Sequence, residues 1–124
     1  MTFALVLPSD AAALYGFRAS LNDWLQSLPL SDELRVSLLL AGHEAAANGV
    51  EHSTGPVTID GRCANNRVIL EITTTGRWGA LGAPASEERG RGMLILKAVV
   101  PDLEVIPLDA GNMVRLQAPT SDAT

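Results

Sequence analysis

Residues 38–52 read Leu38-Leu-Leu-Ala-Gly-His43-Glu44-Ala-Ala-Ala-Asn48-Gly49-Val-Glu51-His52. The run belongs to a helix that opens upstream. Ser31 is a side-chain N-cap type, and Asp32 and Glu33 complement the partial positive charge of a first turn. Gly55-Pro56 breaks the chain beyond it, so the helix is expected to run to about His52. Leu34, Leu38, Ala41, Ala45 and Asn48 fall along one side. Glu44 and Asn48, four apart, share a face, and the small Ala41 and Ala45 leave room for something to approach. Spacing alone leaves two readings open. One is a solvated polar stripe on an Ala-rich helix. The other is a metal-phosphate site, in which an asparagine carbonyl suits Mg²⁺ and a neighbouring carboxylate takes a proton from a hydroxyl or water.

Outward from this helix, the chain resolves into short elements. Residues 3–7 read as a strand ending at Pro8, and Ser9 and Asp10 are N-cap types for a helix. Leu14, Phe17, Leu21, Trp24, Leu25 and Leu28 then recur at steps of three and four, an apolar helical stripe that stops at Pro29. On the other side, Val57-Ile59-Gly61-Cys63 and Val68-Leu70-Ile72 alternate about Asn65-Asn66, the pattern of an antiparallel hairpin. Residues 76–92 are rich in Gly, Pro and charge and read as a long loop. Residues 93–100, between Gly92 and Pro101, are expected to form a short helix. Leu103–Val105 and Met113–Leu116 pair as last strands across Asp109-Ala-Gly111-Asn112. The order β-α-α-β-β-(loop)-α-β-β predicts an α+β fold: a two-layer sandwich, an antiparallel or mixed sheet with helices on one face. Residues 1–118 are expected to be a single domain and residues 119–124 a frayed tail.

Composition narrows the function. Hydrophobic residues make up 47% and charged residues 19% of the 124, a globular balance. The net charge of −5 lacks the basic surplus that displaces counterions from a nucleic acid, so no direct nucleic-acid contact is expected. Cys63 stands alone, which excludes an internal disulfide and a multi-thiolate zinc site; it reads as a small buried hydrophobe. The N-terminal apolar run is a strand and not a signal peptide, and no stretch is long enough to span a membrane. A cytoplasmic location is the expectation.

Glu44-x-x-x-Asn48 followed by Glu51-His52 resembles the N-box of the GHKL superfamily of ATPases, in the form found in RsbW-type anti-sigma-factor serine kinases. Arg89-Gly90-Arg91-Gly92-Met93 is similar to that family's second glycine box, which opens the helix behind the nucleotide lid. Gly111-Asn112-Met113-Val114-Arg115-Leu116 resembles its closing strand. The resemblance spans roughly residues 3–117. It implies the GHKL, or Bergerat, fold with ATP and Mg²⁺ as cofactors. Asn48 would hold the metal, and Glu44 would be the general base for a serine hydroxyl on a protein substrate. Gly90 and Gly92 would let backbone N–H groups close over the phosphates. Arg89 and Arg91 would add positive charge there, or stand as solvated lid charges, and Met93 would open the helix behind them. The implied partners are a STAS-type anti-anti-sigma protein and a sigma factor. Relatives often dimerise, so a homodimer is a further expectation.

The first glycine box departs from the pattern. It reads Thr74-Thr75-Gly76-Arg77-Trp78, with Gly76 in place but Thr74 where the family has the Asp that accepts from the adenine amino group. A hydroxyl accepts without charge, so affinity should fall on the order of tenfold. Thr74 itself is expected to face the surface at a strand end. Two readings from different classes follow: a Mg-ATP-dependent serine kinase, or the same module acting by stoichiometric protein binding with a weakened nucleotide site.

Overall fold

Side chains at every second position turn one face of each strand inward. In the computed structural model, which describes residues 1–75 and 102–120, five strands form: β1 (Thr2–Leu7), β2 (Val57–Ala64), β3 (Arg67–Thr75), β4 (Glu104–Leu108) and β5 (Gly111–Pro119). They make one sheet in the order β1-β2-β3-β5-β4, with antiparallel pairing at each of the four contacts. Two helices, α1 (Ala13–Gln26) and α2 (Asp32–His52), pack on it. The architecture is the expected α+β sandwich. The helix expected over 93–100 and the loop over 76–92 lie outside the described residues.

Local chemistry accounts for most boundaries. Ser31 caps α2, its hydroxyl accepting from the Leu34 N–H at 3.1 Å. Asn65 and Asn66 take φ of 53° and 64°, the paired left-handed conformations of a two-residue hairpin turn. The start of α1 differs from expectation. Its N-cap position is Ala12, without a side-chain cap, and Asp10 instead accepts from the Ala12 N–H within the preceding turn. Ser9 donates to the Gly55 carbonyl at 2.8 Å, tying this turn to the segment after α2.

The interior is aliphatic. Phe17, Leu21, Leu25, Leu38, Ile59, Leu70, Ile72 and Leu116 are fully buried between helices and sheet. Trp24 lies across Gly61, where a Cβ would sit 2.7 Å from the indole, and stacks on Phe3 at 5.4 Å between ring centres. Arg35 of α2 locks the helix pair: it donates to the backbone carbonyls of Leu25, at the end of α1, and of Leu30, in the link between the helices, at 3.1 and 3.0 Å. Cys63 is half-buried against this core.

The sheet's other face carries an ionic row. Glu71 on β3 accepts from Arg115 of β5 at 2.8 Å and from Arg62 of β2 at 3.3 Å, and Glu104 of β4 lies 3.8 Å from Arg115. Burial pulls the Glu71 carboxyl upward, but the hydrogen bonds and charges of Arg115 and Arg62 outweigh it, and its pKa sits below the ordinary value. The stability it adds is therefore present above the unfolded carboxyl's titration range and is lost as pH falls through the folded value. Arg115→Leu should cost about 1 kcal/mol at neutral pH. The gap from wild type should narrow as Glu71 protonates, which urea unfolding across an acid series measures.

Candidate functional site

Among the described residues, three polar side chains are buried: Asn48 at 2% exposure, Thr74 at 3% and Asn112 at 6%. The fold brings them to one end of the sheet. Helix α2 crosses the end of β3 so closely that a Cβ on Gly49 would lie 2.7 Å from the Thr74 methyl and 3.1 Å from a Val57 methyl. A glycine in a helix interior costs about 1 kcal/mol relative to alanine. Here it permits the approach that sets Asn48, the preceding residue, against the sheet.

Thr74 and Asn112 face each other directly in the β3–β5 register, and the Thr74 hydroxyl donates to the Asn112 backbone carbonyl at 3.2 Å. Gly111 is required beside them, because a Cβ there would run into the Thr74 carbonyl. Ser53, just after α2, clamps the strand end. Its hydroxyl lies 2.8 Å from the Thr75 carbonyl and accepts from the Thr75 N–H at 3.1 Å, and the Thr54 N–H donates to the same carbonyl. The chain therefore leaves β3 from a fixed position.

Glu44 lies one turn before Asn48 on α2 and is half-buried. His43 is turned about 100° round the helix from Glu44. Its pKa is lowered by burial and by the Arg18 charge on α1, against an opposing pull from Glu44. An open cavity of about 430 Å³ lies on that flank, lined by Ala11, Ala12, Leu14, Tyr15, Arg18 and His43. It is a groove between the two helices, and neither Asn48, Thr74 nor Asn112 lines it.

Of the residues singled out from sequence, Glu44, Asn48 and Thr74 have described positions; Asn48 and Thr74 are both buried, and Gly49, next to Asn48, packs on Thr74. Thr74 departs from the surface position expected of it. It is buried under Gly49, because the inward alternation of Val68, Leu70 and Ile72 continues through it. Gly76, Arg89, Gly90, Arg91, Gly92 and Met93 lie outside the described residues. Asn112 is not among the expected site residues. Gly111-Asn112 reads as turn composition, whereas β5 begins at Gly111 and carries Asn112 into the interior. The inward series Val114, Leu116 and Ala118, extended back by one step of two, is the signal that points to it.

This frame, an antiparallel sheet with helices on one face and a helix-borne asparagine at the sheet end, is that of an ATPase module. The chain belongs to the histidine kinase-like ATPase family, whose model matches residues 7–118. Among solved structures, it is similar to the crystal structure of the RsbU and RsbW domains of Rv1364c from Mycobacterium tuberculosis, with a TM-score of 0.77 at 18% identity. That match covers 97% of this chain and 32% of the other, so the present chain spans about a third of that protein's length. No curated protein matches the sequence.

The Gly49 contact makes a testable asymmetry. Gly49→Ala gains about 1 kcal/mol in helix propensity but forces a contact of the kind that costs roughly 1–3 kcal/mol. A Cβ on Gly16 of α1 would meet nothing within 4 Å. Gly16→Ala should therefore stabilise the fold by roughly 0.5–1 kcal/mol, and Gly49→Ala should destabilise it. Opposite shifts of the urea midpoint are the expected result.

Proposed function

We propose that the chain is a Mg-ATP-dependent serine kinase of the partner-switching type. It would phosphorylate a STAS-type anti-anti-sigma protein and, in the alternate state, hold a sigma factor, as a cytoplasmic homodimer. The observation that carries this reading is the buried Asn48, next to the Gly49 that packs on Thr74 at the end of β3, in a chain of the ATPase family. Among the described helices none is long and apolar enough to cross a membrane.

The donor set fits a metal that arrives with its nucleotide. Among the described residues no cluster of three His, Cys, Asp or Glu could hold a metal by itself. Mg²⁺ accepts such a site, since it commonly takes one or two protein oxygens and the rest from phosphates and water. Asn48 would offer its carbonyl oxygen, and the ion would supply charge neutralisation at the phosphates. Glu44, half-buried one turn away, would accept the proton of the attacking serine hydroxyl as its oxygen bonds to the γ-phosphorus and the bond to the ADP oxygen breaks. Gly90 and Gly92 would close over the phosphates, with Arg89, Arg91 and Met93 flanking them, and Gly76 would lead out of the base site.

Thr74 favours a second reading. Its hydroxyl donates to the Asn112 carbonyl, and it brings no charge to the site. A module with that change can act by binding its partner stoichiometrically.

Calorimetric titration with ATP and Mg²⁺, beside phosphate transfer to a STAS-type partner, separates the two. The kinase reading expects wild-type binding that Asn48→Ala abolishes. It also expects Glu44→Gln to keep binding while transfer falls by about 10²–10⁴-fold. Partner binding without transfer, together with nucleotide binding that appears only in Thr74→Asp, supports the stoichiometric module and overturns the kinase.

A further inference from the structure

The pairing of β2 with β3 ends at Thr58 and Thr73. Continued toward the end of β3, that register would set Pro56 against Thr75, and a proline has no N–H to give a strand partner. On this side the end of β3 is held by other means. The Ser53 hydroxyl accepts from the Thr75 N–H at 3.1 Å and lies 2.8 Å from the Thr75 carbonyl, which also accepts from the Thr54 N–H at 3.1 Å. The same hydroxyl lies 3.0 Å from the Gly55 carbonyl, to which Ser9 donates. The Ser53 N–H in turn closes the last turn of α2 on the Gly49 carbonyl at 2.7 Å. Gly49 follows Asn48 and packs on Thr74, the residue before Thr75. One small side chain thus ties the end of α2, which carries Asn48, to the end of β3, which carries Thr74.

We propose that Ser53 is a positioning residue of the nucleotide site, fixing the spacing between the metal-side group on α2 and the base-side end of β3. This rests on the nucleotide-binding reading above, in which Asn48 meets the metal and the strand end at Thr74 and Gly76 meets the base. Ser53 acts without touching the ligand. A nucleotide that spans two elements is held tightly when both contacts form together and neither element has to be ordered first. A hydroxyl suits the joint because it accepts and donates at once, and so serves both backbone groups of Thr75 that a proline opposite cannot serve. With alanine in its place the strand end keeps β5 and the Thr54 N–H but loses the side-chain tie to α2. Binding of a two-sided ligand must then restore the spacing at its own cost. A ligand that meets the α2 side alone is spared that cost.

The test is calorimetric titration of the whole chain with ATP and with tripolyphosphate, each with Mg²⁺, in wild type, Ser53→Ala, Ser53→Thr and Arg115→Leu. Ser53→Ala should weaken ATP by about tenfold and leave tripolyphosphate unchanged. Ser53→Thr keeps the hydroxyl and should bind ATP within about threefold of wild type. Arg115→Leu loosens the fold from the opposite face of the sheet and should keep wild-type ATP affinity, which separates positioning from a general loss of stability. Should the alanine form not fold, Ser53→Cys decides: its thiol is a weak donor and acceptor, and it should weaken ATP by about threefold or more. Wild-type ATP affinity in Ser53→Ala overturns the proposal. So does an equal loss for ATP and tripolyphosphate, an equal loss in Arg115→Leu, or a threonine form no better than alanine. The ATP arms decide alone if tripolyphosphate does not bind. Wild type that binds neither probe overturns the nucleotide reading, and this proposal with it.

Discussion

The contact between the backbone of α2 at Gly49 and the Thr74 side chain governs where every buried polar side chain of the described residues sits. Helix and sheet normally stand apart by the thickness of two side-chain layers. Here one partner has no side chain, so the helix end descends onto the strand. Asn48 is carried inward with it, and Ser53 is left near enough to grip Thr75 from both its N–H and its carbonyl. Gly111 repeats the device on the neighbouring strand, where the Thr74 carbonyl takes the space of a Cβ. Two glycines and one serine thus bring three strand and helix ends into register around a small polar volume.

The buried polar side chains of the described residues are uncharged. Asn48, Thr74 and Asn112 offer oxygens and N–H groups but no charge. The ionic row of the sheet is on the opposite face, where Glu71 and Glu104 are matched by Arg62 and Arg115. With a net charge of −5 the chain as a whole does not attract an anion. On the function proposed above, a phosphate-bearing ligand would gain its countercharge from a metal ion or from the arginines at 89 and 91. Neutral interior groups serve orientation better than affinity, because a dipole that fits one geometry gains little from any other.

Much of this is legible in the sequence because it follows from period and local chemistry. The Leu14–Leu28 stripe, the Ser31 cap and the Asn65-Asn66 turn each rest on a rule that needs only neighbours in the chain. The departures have a common cause. Thr74 and Gly111-Asn112 sit at strand ends, where composition says turn or surface, and only the pairing of β3 with β5 across 38 positions makes them interior. Ser9 and Asp10 likewise have cap chemistry. The chain uses it on a preceding turn and on a distant carbonyl, because α1 begins later, at Ala13. A sequence window cannot show which strand comes to lie beside another, so long-range burial of polar residues is the part it hides.

Thr74 is consistent with this neighbourhood in a way that an aspartate would not be without its ligand. A carboxylate at a position 3% exposed would face the Asn112 backbone carbonyl and the methyl-lined approach to Gly49, an acceptor and hydrocarbon. Desolvation would raise its pKa, and the strand end would be destabilised until a hydrogen-bond donor entered. Threonine removes that penalty by giving its proton to β5.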